Sequence, residues 1–252
     1  MLKTSKLPQG ATGVAGATGV AGVAGGARSP VIWTPDYPPL VAGALDQEFL
    51  LNSAALPAGL TLYDRGAEWT VIEGAPGLVL THTGATADVL GGAYMTDPGG
   101  DITCWAKVSM SGLRANGAGV GIGWLQDATT DAGDVHFVRL VFDGTNMYYL
   151  TSIFTSYNVF SSNPVAMTDT GVGPTHLYVR IRRTGVTYAF DVSTDGVGWL
   201  GVSSGAISFV PLHIGILCNG VAVANGSIGF CQFFRSTPSD VGIGGVMNGR
   251  RV

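Results

Sequence analysis

The sequence predicts an all-β protein in which an antiparallel sandwich follows a short stalk with a regular glycine repeat. Glycine stands at every third position from residue 10 to residue 25. The rest of the chain contains many short runs of Val, Ile, Thr and aromatic residues, separated by glycine-bearing turns. Lysine and glutamate occur only three times each in 252 residues, so strong helix formers are scarce.

Composition excludes several classes of partner. Charged residues make up 12% of the chain and the formal net charge is -4, so no basic surface for nucleic acid is expected. The chain has no run of about 18 apolar residues, and we expect no membrane insertion. The opening MLKTSK resembles the start of a signal peptide, but a Leu-rich centre is missing and Pro8 comes early, so we expect no cleavage.

Residues 1–9 are predicted to be an N-terminal attachment segment, and residues 10–27 a collagen-like stalk. A period of three does not place residues on one side of an α-helix, whose period is 3.6. A polyproline-II triple helix, in contrast, requires glycine at every third position because no side chain fits at its axis. The stalk prediction therefore implies three chains, and a flexible linker is the alternative. The repeated glycines are Gly10, Gly13, Gly16, Gly19, Gly22 and Gly25.

The stalk contains no proline at its x and y positions, so it lacks the preorganisation that proline gives to polyproline II. At about 3.1 Å per residue it spans about 50–55 Å. We expect the parts on either side of it to hold the three chains in register. Residues 28–45, with four prolines, are predicted to form an extended connector.

Residues 46–236 are predicted to form the sandwich, and residues 237–252 a tail without periodicity. In the run 176–183, Leu177, Val179 and Ile181 alternate with polar or aromatic residues, which indicates one buried and one wet face. The predicted strands are 69–73, 77–82, 101–109, 119–126, 134–143, 146–152, 176–183, 186–193, 197–202, 211–219 and 227–234.

The run HLYVRIRRTGVTYAFDVSTDGVGW resembles a hairpin of the concanavalin A-like lectin/glucanase sandwiches, in which an Arg-rich strand precedes a Ser-x-Asp-Gly-x-x-Trp turn. In this chain the turn residues are Ser193, Asp195, Gly196 and Trp199, and we expect the turn to anchor Trp199. The segment LPAGLTLYDRGAEWTVIEGAPGLVLTH is similar to the opening of such domains in phage tail-fibre proteins, where a Gly-x-y stretch often precedes the domain.

This resemblance implies a jelly-roll-type sandwich in a homotrimeric appendage of a virion, on the tail or the capsid surface. It further implies contacts with other virion proteins through the N-terminus and with a host-surface polysaccharide through the head. Alternatives that stay open are a capsid-decorating or purely structural virion protein, a bacterial collagen-like surface protein and a glycan-degrading enzyme.

We expect no enzyme activity, no catalytic residues and no cofactor. Glycoside hydrolysis needs two carboxylates on one cleft, about 5–9.5 Å apart. The chain has only Glu48, Glu68 and Glu73, and an odd spacing would place the last two on opposite sides of a continuous strand.

Three other groups of residues have structural explanations. Asp127, Asp131 and Asp134 fit no known calcium loop, so a solvated hairpin loop without metal is expected. His136 alternates with apolar residues and is expected to be a satisfied core or rim histidine. Cys104, Cys218 and Cys231 lie in apolar runs and are expected to be buried free thiols.

A ligand site is predicted in the long segment 151–174, which is polar and aromatic and is expected to be a loop at the exposed end of the head. Sugar rings stack on aromatic side chains that carry a polar group at one end. The predicted ligand-binding residues are Tyr148, Tyr149, Tyr157 and Trp199. A packed loop at a trimer interface is the alternative.

Overall fold

The computed structural model describes nine ranges of the chain: 47–49, 55–74, 77–84, 88–111, 117–142, 146–163, 168–169, 176–220 and 228–238. All belong to the second of two units of the chain, residues 35–252. The attachment segment 1–9, the stalk 10–27, the connector 28–45 and tail residues 239–252 lie outside the described residues. The predictions for these segments, including the trimer, therefore stay predictions.

The described residues form sixteen strands and contain no helix. None of the described ranges therefore offers a helix that could cross a membrane. The strands are β1 (Gln47–Glu48), β2 (Thr61–Tyr63), β3 (Trp69–Gly74), β4 (Gly77–His82), β5 (Val89–Thr96), β6 (Ile102–Ser111), β7 (Gly119–Leu125), β8 (Val135–Phe142), β9 (Met147–Ser156), β10 (Val159–Ser162), β11 (Thr168–Asp169), β12 (His176–Thr184), β13 (Thr187–Ser193), β14 (Leu200–Gly205), β15 (His213–Gly220) and β16 (Ile228–Pro238).

Two antiparallel sheets of eight strands each make up the head. Sheet I has the order β14-β13-β12-β6-β16-β4-β3, and β1 also pairs with β16. Sheet II has the order β10-β9-β8-β7-β15-β5-β2, and β11 also pairs with β9. Eight of the fourteen strand pairs join strands that are not consecutive in the chain, and the strands interleave between the two sheets as in a jelly roll.

The main core lies between the inner faces of the two sheets. Alternate residues of each central strand point into it, because successive side chains in a strand face opposite ways. Each large aliphatic side chain buried in this way contributes about 1.5–3 kcal/mol. The central strands contribute Cys104, Ala106, Val108, Leu177, Val179 and Ile181 from sheet I, and Val120, Ile122, Trp124, Ile214, Ile216 and Cys218 from sheet II.

A buried ion pair connects the two sheets at one end of the sandwich. Arg183 of β12 pairs with Asp97, which follows β5, and also donates to the carbonyl of Gly100. Its guanidinium lies 5.1 Å from the ring centroid of Trp124. Burial alone would lower the pKa of Arg183, but hydrogen bonding and the charge of Asp97 leave that pKa above its ordinary value.

At the opposite end, glycines of sheet II make room for aromatic rings of sheet I. A Cβ on Gly91 would lie 2.0 Å from Cγ of Trp69, and one on Gly220 would lie 2.4 Å from Cγ of His82. Both aromatic residues are buried, and their ring centroids are 5.0 Å apart. The two sheets approach closely there because these positions lack side chains.

The antiparallel all-β prediction is confirmed for the head. Eleven of the sixteen strands were predicted, and the five that were not are β1, β2, β5, β10 and β11. Strand β4 matches its predicted bounds of 77–82. Strand β5 was missed because Gly91 and Gly92 interrupt its alternating pattern. The prediction of one long loop at 151–174 is wrong for its first part, since β9 extends to Ser156 and β10 follows after a two-residue turn.

The three cysteines are buried free thiols, as predicted. Burial raises the pKa of Cys218 to about 12, so this thiol stays protonated. His136 lies on the inner face of β8, where its ring stacks on Phe190 with 4.2 Å between centroids. Its core position is as expected, but its Nε2 atom is buried without a hydrogen-bond partner, so stacking holds the ring.

We predict that His136 makes the fold sensitive to acid. Burial lowers the pKa of His136 to about 4, below the value of 6.5 in an unfolded chain. Above pH 6.5 the ring is neutral in both states. As the pH falls from 6.5 to 4, the unfolded chain binds a proton that the folded chain does not, so stability is lost across that window. The loss from this group is on the order of 3 kcal/mol.

The check is chemical denaturation of wild type and His136→Leu at pH 7.5 and pH 4.5. The variant is expected to lose less stability on acidification than wild type does. His176→Gln, a change at a half-buried position outside the core, should follow the wild-type profile more closely. Equal acid losses in wild type and His136→Leu would contradict the prediction.

Candidate functional site

The outer face of sheet I carries a group of aromatic and charged side chains that we call the aromatic face. Its members come from β6, β12, β13 and the turn that follows β13. Strand pairing aligns Arg180 with both Trp105 and Asp191, and aligns Tyr178 with Lys107. The aromatic face consists of Trp105, Lys107, His176, Tyr178, Arg180, Arg182, Asp191 and Trp199.

Hydrogen bonds from two side chains fix the turn that carries Trp199. The hydroxyl of Ser193 donates to Oδ1 of Asp195 at 2.8 Å and accepts from the amide of Gly196 at 2.8 Å. Oδ1 of Asp195 also accepts from the amides of Val197 and Gly198 at 2.8 and 2.9 Å. These bonds hold the pKa of Asp195 below its ordinary value, so the carboxylate that holds the turn is charged at neutral pH.

The turn places the Trp199 ring on the guanidinium of Arg180, which lies 4.3 Å from the ring centroid. Such a cation–π contact contributes about 0.5–2 kcal/mol. The same ring packs against Trp105 and Tyr178, which are both buried. Trp199 itself is half-buried, so part of its ring is accessible. The anchoring role expected for this turn is confirmed, while ligand binding by Trp199 stays a prediction.

One buried carboxylate orders the two arginines beneath Trp199. Oδ2 of Asp191 accepts from Nε of Arg180 at 2.9 Å and from Nε of Arg182 at 2.8 Å. Nη2 of Arg182 also donates to Oδ1 at 3.1 Å, which makes this contact bidentate. The rigid fork of donors explains why arginine serves here. Asp191 therefore locks the base on which the Trp199 ring rests.

On the face of β12 that points away from the core, Tyr178 and Arg180 are buried rather than solvent-exposed, contrary to the sequence prediction. Tyr178 is 5% exposed and Arg180 is 9% exposed, because Trp199 and neighbouring side chains cover them. The sequence signal for this second layer was present in the run 176–183. Its outward positions hold His, Tyr and two Arg, which are large amphipathic residues able to pack against one another.

The predicted tyrosines do not form one site. Tyr148 and Tyr149 are adjacent in β9 and face opposite sides of sheet II, so Tyr149 packs on the main core. Tyr157 lies in the turn after β9, about 25–30 Å along an extended strand from the other two. Its backbone carbonyl accepts from the amide of Leu90 at 2.7 Å, and its side chain packs on buried clusters.

The outer face of sheet II is filled by a second apolar layer rather than open. Leu125, Phe137, Phe154 and Leu217 are fully buried there. Arg139 lies among them and donates to Oγ of Ser152 at 2.9 Å and to the carbonyl of Gly117 at 2.8 Å. Burial lowers the pKa of Arg139 to about 10, against the opposing charge of Asp88.

An open groove of about 690 Å³ lies beside the loop that joins β7 to β8. The carboxylates of that loop do not converge. Asp131 pairs with Arg65 at 2.8 Å, and Oδ1 of Asp127 accepts from the amide and hydroxyl of Thr129. Within the described ranges no group of three or more His, Cys, Asp or Glu side chains is arranged to hold a metal ion. The groove is lined by Gln126, Asp127, Thr130, Ala132, Ile207, Ser208, Phe209, Val210 and Leu212.

Two of the three glutamates, Glu68 and Glu73, have side chains that the structure describes in the head. Oε2 of Glu68 lies 3.0 Å from Nε2 of the buried His82. Glu73 is 4% exposed and alternates with Trp69 and Val71, which also point inward on β3. Glu68 precedes the strand that carries Glu73, so the two do not form a pair on one strand. The side chain of Glu48 lies outside the described part.

Comparison with solved structures places the head among known β-sandwiches. A functionally unknown protein from Saccharomyces cerevisiae superposes with a TM-score of 0.53 at 12% identity, over 77% of this chain and 100% of that chain. The GH43 protein BlXynB from Bacillus licheniformis gives 0.57 at 13% identity, over 77% of this chain and 39% of that one. A prokaryotic β-1,3-1,4-glucanase (lichenase) from a mouse hindgut metagenome gives 0.51 at 7% identity, over 77% and 98%.

These identities show a shared fold alone. The head is therefore a jelly-roll-type β-sandwich that shares its fold with these structures, and this architecture agrees with the one that the resemblance implied. The chain spans well under half of the length of BlXynB, so that similarity concerns one part of the larger protein. No protein-family model matches the chain, and neither does any curated protein.

We predict that Asp191→Asn destabilises the head by about 3–5 kcal/mol, because it leaves two guanidinium groups without the buried carboxylate that holds them. Asp131→Asn is the matched control, since it removes the same charge from an exposed pair with Arg65. That change should cost at most about 1 kcal/mol. Urea unfolding measures both, and a cost for Asp191→Asn no greater than that of the control would refute the buried network.

Proposed function

We propose that this chain is a trimeric appendage of a phage virion whose sandwich head binds a host-surface glycan without hydrolysing it. The observation that carries the binding proposal is the half-buried Trp199 ring, held on Arg180 by a turn that Ser193 and Asp195 fix. A rigid aromatic ring with polar neighbours is the surface on which a sugar ring stacks at a low cost in conformational entropy.

The glycine repeat supports the trimer. Glycine occupies every third position over six uninterrupted triplets that precede the head in sequence. A triple helix requires this spacing, because no side chain fits at its axis. The N-terminal segment 1–9 precedes the proposed stalk in the sequence. We propose that it binds other virion proteins, as the resemblance to phage tail-fibre proteins suggests.

Trimerisation suits a weak sugar site. One aromatic stacking contact contributes about 0.5–1.5 kcal/mol, so a single head would bind weakly. Three heads on one stalk that engage one cell surface raise the avidity by about 10²–10⁴. The proposed stalk and the proposed site therefore support one another.

Binding without hydrolysis fits the positions of the described glutamates. Glu68 contacts His82, and Glu73 points inward from β3. The aromatic face contains Asp191, but this residue is 3% exposed and its carboxylate is held by two arginines. A general acid or nucleophile must reach the glycosidic oxygen or the anomeric carbon, which a carboxylate in this position does not do.

We expect the full chain to be a homotrimer. Light scattering coupled to size exclusion should give about three times the chain mass of 25.9 kDa. A truncated chain that begins at Arg28 should remain trimeric, because the proline-free stalk is weak alone. A monomer or dimer of the full chain at micromolar concentration would exclude the proposed stalk.

We expect Trp199→Ala to reduce adsorption to host cells by at least about tenfold, since loss of one stacking contact is multiplied over three heads. Phe160→Ala is the matched control, because it removes an aromatic side chain that is 38% exposed on the edge of sheet II. Adsorption of fluorescently labelled protein and thermal unfolding are measured together. Unchanged adsorption of a folded Trp199→Ala trimer would leave the head with a structural role in the particle.

A further inference from the structure

Two basic side chains flank the Tyr178 ring on the aromatic face. Nζ of Lys107 lies 5.6 Å from the centroid of that ring. The His176 ring lies 6.2 Å from it, centroid to centroid, with the two planes nearly perpendicular at 84°. Trp199 packs against the buried cluster that Tyr178 forms with Trp105. The basic pair and the accessible tryptophan therefore lie around the same buried aromatic cluster.

The positive charge of Lys107 and His176 is offset less by nearby carboxylates than the charge of the neighbouring arginines is. Arg180 and Arg182 contact Asp191, whereas no described carboxylate forms an ion pair with Lys107 or with His176. Burial lowers the pKa of Lys107. Burial also lowers the pKa of His176, and the charge of Lys107 adds to that effect. An anion placed between Lys107 and His176 would therefore stabilise the charged forms of both side chains.

Lysine is rare in this chain, yet one of its lysines belongs to the aromatic face. The protein has a formal net charge of -4 and only three lysines, and Lys107 is the one that lies in the head. Strand pairing sets Lys107 opposite Tyr178 and sets His176 opposite Ser109, so both basic residues point out from the same sheet face. Positive charge on the same sheet face as an accessible aromatic ring complements a sugar chain that carries negative groups.

We infer that Lys107 and His176 bind the anionic group of an acidic polysaccharide, whose neighbouring sugar ring contacts Trp199. This inference rests on the proposed glycan-binding function and names its ligand class. The shared chemistry is a sugar or polyol chain with regularly spaced carboxylate or phosphate groups. Lysine supplies a compact charge, and protonated histidine supplies two further donors.

Binding should strengthen as the pH falls, because an anion favours the charged form of His176. The charged and titratable groups that face His176 are Lys107 from β6 and Tyr178 from its own strand, while Asp195 acts on Tyr178 from the turn after β13. Above the pKa of His176, only Lys107 contributes charge. His176→Gln should therefore remove most of the gain in affinity between pH 8 and pH 5.5 and change little at pH 8.

The test uses the full chain on three immobilised polymers: alginate for carboxylate, poly(glycerol phosphate) for phosphate and dextran as a neutral control. Wild type should bind at least one charged polymer, and Lys107→Gln should weaken that binding by about tenfold or more. Binding should also weaken when NaCl is raised from 0.05 to about 0.5 M. The charged polymer that binds identifies the anionic group.

Two control variants keep the result specific. Lys107→Arg should retain most of the binding, because it preserves the charge. Arg65→Gln removes a cation that pairs with Asp131 away from the aromatic face, and it should leave binding unchanged. Thermal unfolding confirms that all variants are folded.

The outcomes separate this inference from the proposed function. Equal binding of dextran and of the charged polymers, with no effect of Lys107→Gln but a loss in Trp199→Ala, would overturn the anionic ligand and support glycan binding. The inference is also overturned if neither charged polymer binds. Loss of charged-polymer binding in both Lys107→Gln and Trp199→Ala supports both.

Discussion

The register of β12 is the constraint on which the rest of the head depends. Side chains alternate along a strand, so pairing with β6 and β13 decides which residues enter the core. In this register Leu177, Val179 and Ile181 join the two sheets, while Tyr178 and Arg180 build the aromatic face. A slip by one residue would bury the arginines between the sheets and expose the aliphatic residues, so the core and the candidate site are specified together.

The head has few charged residues, and several of them occupy structural positions. Arg183 joins the two sheets through Asp97 in a dry environment beside Trp124. Arg180 and Arg182 share Asp191 on the other side of the same strand. Buried ion pairs add little net stability, because desolvation offsets most of the attraction between the charges. Their contribution here is geometric: they fix the angle between side chains that must remain in place, including the guanidinium beneath Trp199.

Sheet II differs from sheet I in how its outer face is used. A Cβ on Gly121 would lie 1.8 Å from the carbonyl oxygen of Val138, so β7 and β8 approach each other only with glycine there. Phe137 and Arg139 are buried on the same face, beneath a second apolar layer. An accessible aromatic group with charged neighbours therefore occurs on sheet I, and this is why the proposed ligand surface lies around Trp199.

The all-β class, most strand positions, the buried cysteines and the turn that anchors Trp199 could be predicted from the sequence, because these follow from local alternation and turn chemistry. The sequence pattern missed β5, whose Gly91 interrupts the pattern for the sake of Trp69, a contact distant in sequence. It also grouped Tyr148 and Tyr157, which an extended strand separates. The meeting of Lys107, His176 and Trp199 around the cluster of Trp105 and Tyr178 follows from tertiary contacts, since strand pairing and a turn bring together residues up to 92 positions apart in the chain.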